Sequence, residues 1–555
     1  MGGAVYFSIG DAIAGLGIFL LIPQYLKPIY VFRLRVLGIG LRWLYAFPGV
    51  GFLCVVIAAL TPYFPAWLLL PLRSSLVWET LGAALYAASY SALAWVYIFP
   101  ARSSRRSIAN YVRAGTHLLA GASEEDRVEL ATDIVANIRK LIRIADARGP
   151  DAVSAASARN GRASGASFSE SFLHILSDPI FCRTLVVRVP WDAARILQAF
   201  SEERPSAQVG KAFVMEITRQ TVISSGAGST NEVATQAFSE TPPLAKAAFG
   251  DAYLNRHYLP WEGPSSSDYD QLDAEKMERI SAAAALTIDS HIADGFSAQS
   301  SNIVRLQESF DVISRRIAIL KKREADTAQL ANALGRSVKH IVDATRGHCA
   351  ATGVDCGALY AEVDGVRDFS ALDAIAELVV SVLENTSHDF SGFDDPFWSM
   401  ARDIWDAVLP RFGAQPAGMD ALQQRVTMKL MEKIGESMEG FPSPLMRQAL
   451  AIIGPYAARG ESKERTAFKI CRDHLYRALE SLPQFFEGDP ERAKRLLPNN
   501  VRYEADTAEL VHRYSFGGED RTSLMRLNLP PTLSLAPGVI ASKAQAAPAA
   551  LAVPS

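Results

Sequence analysis

The chain has 555 residues, 49% of them hydrophobic and 21% charged, with a formal net charge of −3. That length exceeds one domain, and the apolar share excludes a disordered or fibrous polymer. The average conceals a split: residues 1–114 hold nine Lys or Arg against Asp11 and Glu79, a net of +7, which leaves −10 on the remaining 441 residues. An acidic bulk argues against nucleic acid as a partner, because neutralising phosphates requires a concentrated cationic face.

Three apolar stretches come first, at residues 5–26, 44–70 and 76–99. Each offers the roughly 20 predominantly apolar residues that a helix rising 1.5 Å per residue needs to cross about 30 Å of hydrocarbon. The second is interrupted by Pro62 and Pro65, so residues 44–60 are its best part and 61–72 are either a continuation or a re-entrant piece. No Lys or Arg precedes Lys27, which argues against a cleaved signal peptide. Lys27, Arg33, Arg35 and Arg42 stand between the first and second stretches, and Arg102, Arg105 and Arg106 follow the third. Because cations beside short loops stay on the cytoplasmic side, three spans with the amino terminus outside are expected, in a cell (inner) membrane with the bulk of the chain cytoplasmic. The same cations suit anionic lipid headgroups as well as topological retention.

Asp11 and Glu79 are the two acids of this region, and intramembrane acids often serve an ion or proton site. Asp11 falls about 10 Å into its span if the helix begins near residue 4, while Glu79 is near the start of its own. Small residues at Ala84, Ala88 and Ala92, in the neighbouring row Ala83, Ala87 and Ser91, and at Gly10, Ala14 and Gly17 let backbones approach closely. Packing of the three helices within one chain is the first expectation for these faces, and self-association the second.

Beyond the membrane region, residues 107–121 and 124–147 read as helices, the second opened by Ser123 and Asp126 in the spacing of a capping box. Residues 149–167 are rich in Ala, Ser and Gly without apolar period and are expected to be a flexible linker at a domain boundary. Residues 168–267 form short helical pieces broken by prolines, with Pro179 and Pro190 placed at first turns and 208–225 helical by its length.

Residues 271–346 carry a heptad register: Ile303, Phe310, Ile317, Glu324, Ala331 and Val338 at a, and Leu306, Ile313, Leu320, Thr327, Leu334 and Ile341 at d. Such a stripe predicts a coiled coil or a long helix packed in a bundle. Arg316 and Lys321 would repel in a parallel dimer, which favours a long helix within one chain or an antiparallel hairpin folding near Gly335. Residues 355–520 read as a second helical domain, with helices at 370–386, 396–412, 418–438, 443–458, 461–482 and 503–514 and a short strand or loop at 356–366. The tail 528–555, proline-rich with Lys543 as its one charge, is expected to be disordered.

Chemistry-bearing groupings are sparse. Five cysteines, Cys54, Cys182, Cys349, Cys356 and Cys471, suit a reducing compartment. His340, His348, Cys349 and Cys356 match no familiar zinc spacing, and the glycine-rich 224–232 lacks the lysine of a phosphate loop. His388 and Asp389 with Asp394 and Asp395, and Cys471 with Asp473 and His474, supply no nucleophile with an evident base.

The expected fold class is therefore mainly α: a three-span helical membrane domain over 1–106, a helical juxtamembrane segment over 107–148, and a cytosolic all-α portion with a long heptad-patterned helix. The expected function is a scaffold or sensor acting through protein contacts or self-association, without a cofactor, metal or enzymatic activity. A channel or transporter using Asp11 and Glu79 is the alternative, and a membrane-anchored enzyme the third.

Overall fold

In the computed structural model the described residues are 8–38, 41–63, 74–102, 107–147, 165–224, 243–294, 301–320, 327–352, 371–387, 396–409, 420–439, four positions between 445 and 452, and 501–504, 509–516 and 519–526. The chain is mainly α-helical and divides into two compact units, Met1–Ser309 and Phe310–Ser555.

The first unit opens with α1 (Ile9–Tyr25), α2 (Pro28–Val36), α3 (Leu41–Leu60) and α4 (Ser75–Ile98). The apolar helices α1, α3 and α4 pack together by close backbone approach. A Cβ on Gly82 of α4 would lie 2.9 Å from the Gly51 carbonyl oxygen of α3, so neither helix tolerates a side chain there. Tyr86 fills the groove between the three helices, with its ring against Gly15 and Gly51 and its hydroxyl donating to the Ala12 carbonyl at 2.8 Å. The buried face of α4 is Gly82, Tyr86, Ser89 and Val96, and Ala84, Ala87, Ala88 and Ser91 point outward. On α1 it is Ala12 and Phe19 that are buried, while Gly10 and Ala14 are exposed. The alanine and glycine rows expected to pack the bundle are thus largely on its outside. Of the 25 large apolar side chains exposed among the described residues, 21 fall within residues 9–99.

The unit continues through α5 (Ile108–Gly121), α6 (Glu124–Asp146), α7 (Gly165–Ile175), α8 (Pro179–Arg188), α9 (Pro190–Glu203), α10 (Lys211–Ile223), α11 (Pro243–Phe249), α12 (Ala252–His257) and α13 (Ala274–Ala293). Their starts obey local chemistry. Ser123 accepts from the Asp126 N–H while the Asp126 side chain accepts back from Ser123, and Asp178 accepts from the Phe181 N–H at 2.9 Å ahead of Pro179. Helix α6 packs on α7, α8 and α9, and α5 on α7. This corrects the expectation of a domain boundary at 149–167: the helices on either side share one core, and α7 begins at Gly165.

Helix α14 (Ser301–Leu320) spans the division at Ser309, and α15 (Thr327–Thr352) follows. The heptad stripe is buried: Ile303, Leu306, Phe310, Ile313, Ile317, Leu334, Val338 and Ile341 are each 0% exposed, and Leu320 is half-buried. One long helix over 271–346 is not what carries it. Helix α13 stops at Ala293, and α15 opens at Thr327, in the softened middle of the register. A hairpin near Gly335 is also corrected, because Gly335 lies inside α15, where a Cβ would be 2.9 Å from Met400 Cγ.

The second unit adds α16 (Ala371–Ser387), α17 (Pro396–Val408) and α18 (Ala421–Glu439), with α15 along α17 and α16 along α18. Arg425–Asp373, Lys429–Glu377 and Lys433–Glu384 form a ladder that holds α16 and α18 parallel. Strands β1 (Val501–Glu504), β2 (Glu509–Phe516) and β3 (Glu519–Arg526) make an antiparallel meander, with Val501 opposite His512 and Glu509 opposite Arg526. The helix expected at 503–514 is therefore wrong; Val511, Tyr514 and Phe516 read better as a strand fragment with β-formers and no helical period. The helix expected at 461–482, the segment 356–366 and the tail 528–555 lie outside the described residues, as does most of 443–458.

Candidate functional site

The two acids singled out in the sequence lie at the same end of the apolar bundle, since α1 and α4 run in one direction: Tyr86 reaches Ala12, and Phe19 lies 4.7 Å from Tyr90. Asp11 is a helix cap. Its carboxylate accepts from the Ser8 N–H at 2.9 Å and from the Ser8 hydroxyl at 2.7 Å, and its own N–H donates to Ser8 Oγ at 3.1 Å. Because α1 starts at Ile9, Asp11 is exposed in the first turn and does not sit deep in the span. Glu79 is half-buried in the second turn of α4.

The opposite end of the bundle holds a denser arrangement. Helix α2 is laid there by Pro28 at its first turn, and the spacing of Ile29, Phe32, Arg33 and Val36 puts an arginine into the face that α2 buries. Helix α6 likewise buries Leu130, Ile134, Ile138 and Leu141, and with them Asp133, which is 0% exposed. The two charges meet. Arg33 Nε donates to Asp133 Oδ2 at 2.9 Å, and a terminal guanidinium nitrogen donates to the Val96 carbonyl of α4 at 3.1 Å. The other carboxylate oxygen of Asp133 accepts from the Ala101 N–H at 2.9 Å. Asn137 Nδ2 donates to the Ala101 and Asp133 carbonyls, and the Tyr111 hydroxyl of α5 donates to the Asp133 carbonyl at 3.3 Å. Around this knot, Tyr30 stacks on Tyr97 at 4.5 Å, and Phe32, Tyr111 and Phe172 form an edge-to-face row.

Lys27, two residues beyond α1, pairs with Glu129 at 3.2 Å and with Glu125 at 3.9 Å. Ala101, three residues beyond α4, is held by Asp133 and Asn137. One helix, α6, therefore touches the exits of both α1 and α4 along about 18 Å of its length, and lies across the end of the bundle as a crossbar. Burial raises the Asp133 carboxyl to about 6, a shift that the Arg33 guanidinium and the Ala101 N–H oppose without cancelling. Burial also pushes the Tyr111 phenol up.

Of the expected membrane-topology cations, Arg33 is this buried partner, Lys27 is half-exposed in its ion pairs, and Arg35 and Arg102 are exposed. Arg42 falls in α3, and Arg105 and Arg106 lie outside the described residues. His340, His348 and Cys349 share α15, but among the described residues no group of three His, Cys, Asp or Glu could hold a metal ion. Cys356, Cys471, residues 225–232 and the His388 and His474 groupings lie outside the described residues. Sequence reading counted Arg33 as a cation between spans and passed over Asp133. The signal was available: each is a charge embedded in an apolar helical stripe, and two such charges of opposite sign can satisfy one another only by meeting. No protein-family model, curated protein or solved structure matches the chain.

Proposed function

We propose that this is an integral membrane protein in which α1, α3 and α4 are three spans, with the amino terminus outside and the acidic bulk in the cytoplasm of a cell (inner) membrane. The observation that carries the reading is the outward face of the bundle, where Ile13, Leu20, Leu53, Trp95 and Ile98 are all more than half exposed. Water would make such a surface costly at about 25 cal/mol per Å², whereas lipid tails remove that cost. Helix α4 is the one described helix long and apolar enough to cross a membrane, and 22% of its most apolar window is buried; the apolar parts of the others are shorter, Ile9–Leu21 and Tyr45–Leu60.

The helices beyond the bundle act as a scaffold or sensor through protein contacts. Two features support this over a pore: Asp11 is used as a cap at the bundle's end, and the most elaborate polar structure in the region joins the spans to α6. The test is extraction. The protein should stay in the membrane pellet through an alkaline carbonate wash and enter solution with detergent, and protease added to intact cells should spare the chain beyond residue 107. Release by carbonate, or digestion of the carboxy-terminal half from outside, would overturn the proposal.

A further inference from the structure

The knot at Asp133 has a property that follows from its geometry. Both carboxylate oxygens already face donors, Oδ2 the Arg33 Nε–H and Oδ1 the Ala101 N–H. A proton added to either oxygen arrives opposite another hydrogen, so a neutral Asp133 gives up one of the two contacts. Losing the first frees α2 from α6; losing the second frees the exit of α4. The surroundings offer no substitute acceptor for Arg33: α5 contributes Tyr111, α4 contributes Tyr97 stacked on Tyr30, and Asn137 points its amide donor at the Ala101 and Asp133 carbonyls. Glu129, one turn before Asp133, is engaged by Lys27.

We propose that Asp133 is a proton-operated joint that couples the cytoplasmic helices to the exits of the spans, closed when the carboxylate is charged and loosened when it is neutral. This deepens the sensor reading above and rests on it. The raised carboxyl, near 6, puts the change within reach of a cell's internal pH, and Glu129 contributes to the raising by its negative charge. The sign of the linkage separates loosening from unfolding. A carboxyl raised from 3.8 to about 6 binds its proton more tightly in the folded chain than in the unfolded one. Between those two values, falling pH therefore favours the folded chain through this group. What changes is local, at α2, α6 and residues 96–102.

The experiment is hydrogen exchange on the full chain in lipid nanodiscs from pH 7.5 to pH 5, corrected for the intrinsic pH dependence of exchange. Peptides covering residues 28–36 and 96–102 should exchange on the order of tenfold faster at pH 5, where about nine in ten Asp133 side chains are neutral. A peptide from α13 should not change. Asp133→Asn should hold the joint loose at every pH. Glu129→Gln, at a partly exposed position safe for the fold, should move the wild-type midpoint to lower pH. A flat wild-type profile, a transition that survives Asp133→Asn, or a midpoint unmoved by Glu129→Gln would each overturn the proposal. Failure to enter nanodiscs would instead sink the membrane reading, and the same exchange profile read in plain buffer would still decide the joint.

Discussion

In α4, 22% of the most apolar eighteen-residue window is buried, whereas α16 buries Leu372, Ile375, Leu378, Val379, Val382 and Leu383 at 1% exposure or less. Both helices are rich in apolar residues, so composition does not separate them; the direction in which those residues face does. The bundle is packed through Gly51, Gly82 and the Tyr86 ring, which use little side-chain volume and leave Leu, Ile and Trp outside. The later helices do the reverse, burying their large side chains and setting register with ion pairs such as Arg425–Asp373. Two solvents would produce such a contrast, and the seam between them is where Arg33 meets Asp133.

The seam is where substitution should cost most. Arg33→Ala leaves Asp133 buried without its charged partner and should lower stability by about 3–5 kcal/mol, measured by denaturation of the detergent-solubilised protein. Replacing both residues, as Arg33→Met with Asp133→Leu, removes the uncompensated charge and should recover most of that loss. An equal loss in the double variant would mean that the pair holds the seam by more than mutual compensation.

The contrast of solvents is tested by placing a charge on each surface. Leu53, 55% exposed on α3, and Trp191, 59% exposed on α9, look alike by accessibility. If Leu53 faces lipid, Leu53→Lys should cost about 2.5–3.5 kcal/mol of insertion free energy, read in a membrane-insertion assay. Trp191→Lys should stay within about 0.5 kcal/mol in a stability measurement. Equal tolerance at both sites would remove the distinction on which the membrane reading stands.

A third pair probes the packing of the bundle. Gly82→Val drives a side chain toward the Gly51 carbonyl and should cost about 1–3 kcal/mol, whereas Ala84→Val, on the outward side of the same helix, should be nearly silent. Thermal denaturation of the two variants in one detergent is the comparison to make. A larger effect at Ala84 would point to self-association through the alanine row.

How far the sequence reached depended on whether a pattern had one physical cause. The helices were legible, because apolar period and proline position act locally: Pro179 and Pro190 stand at first turns, and the stripe from Ile303 to Ile341 is buried. What the stripe packs against was not legible, since a heptad register states which face is buried and not the partner. Gly335 was misread for the related reason that a glycine inside a helix serves close packing, here against Met400, as readily as a turn. The 149–167 segment was misread because flexible composition reports the loop and not whether the helices it joins share a core. The joint was missed because Arg33 and Asp133 are 100 residues apart, and each has an innocent local explanation.

The smallest expected effect compares one motif in the two surroundings. Ser8 and Asp11 open α1 with the same reciprocal bonds by which Ser123 and Asp126 open α6. Only the second was read as a cap in the sequence, since Asp11 was weighed as an intramembrane acid. The surroundings differ: Asp126 is 6% exposed and α6 is held at both span exits, while Asp11 is exposed at a helix start with no element packed beyond it among the described residues. Ser123→Ala should therefore cost about 1 kcal/mol, because α6 cannot fray without losing its contacts to Lys27 and Arg33. Ser8→Ala should shift the same denaturation midpoint less, since the first turn of α1 can unwind into the interface at little loss. A larger effect at Ser8 than at Ser123 would mean that the amino-terminal end of the bundle is held by contacts of its own, and would return Asp11 to consideration as part of a site.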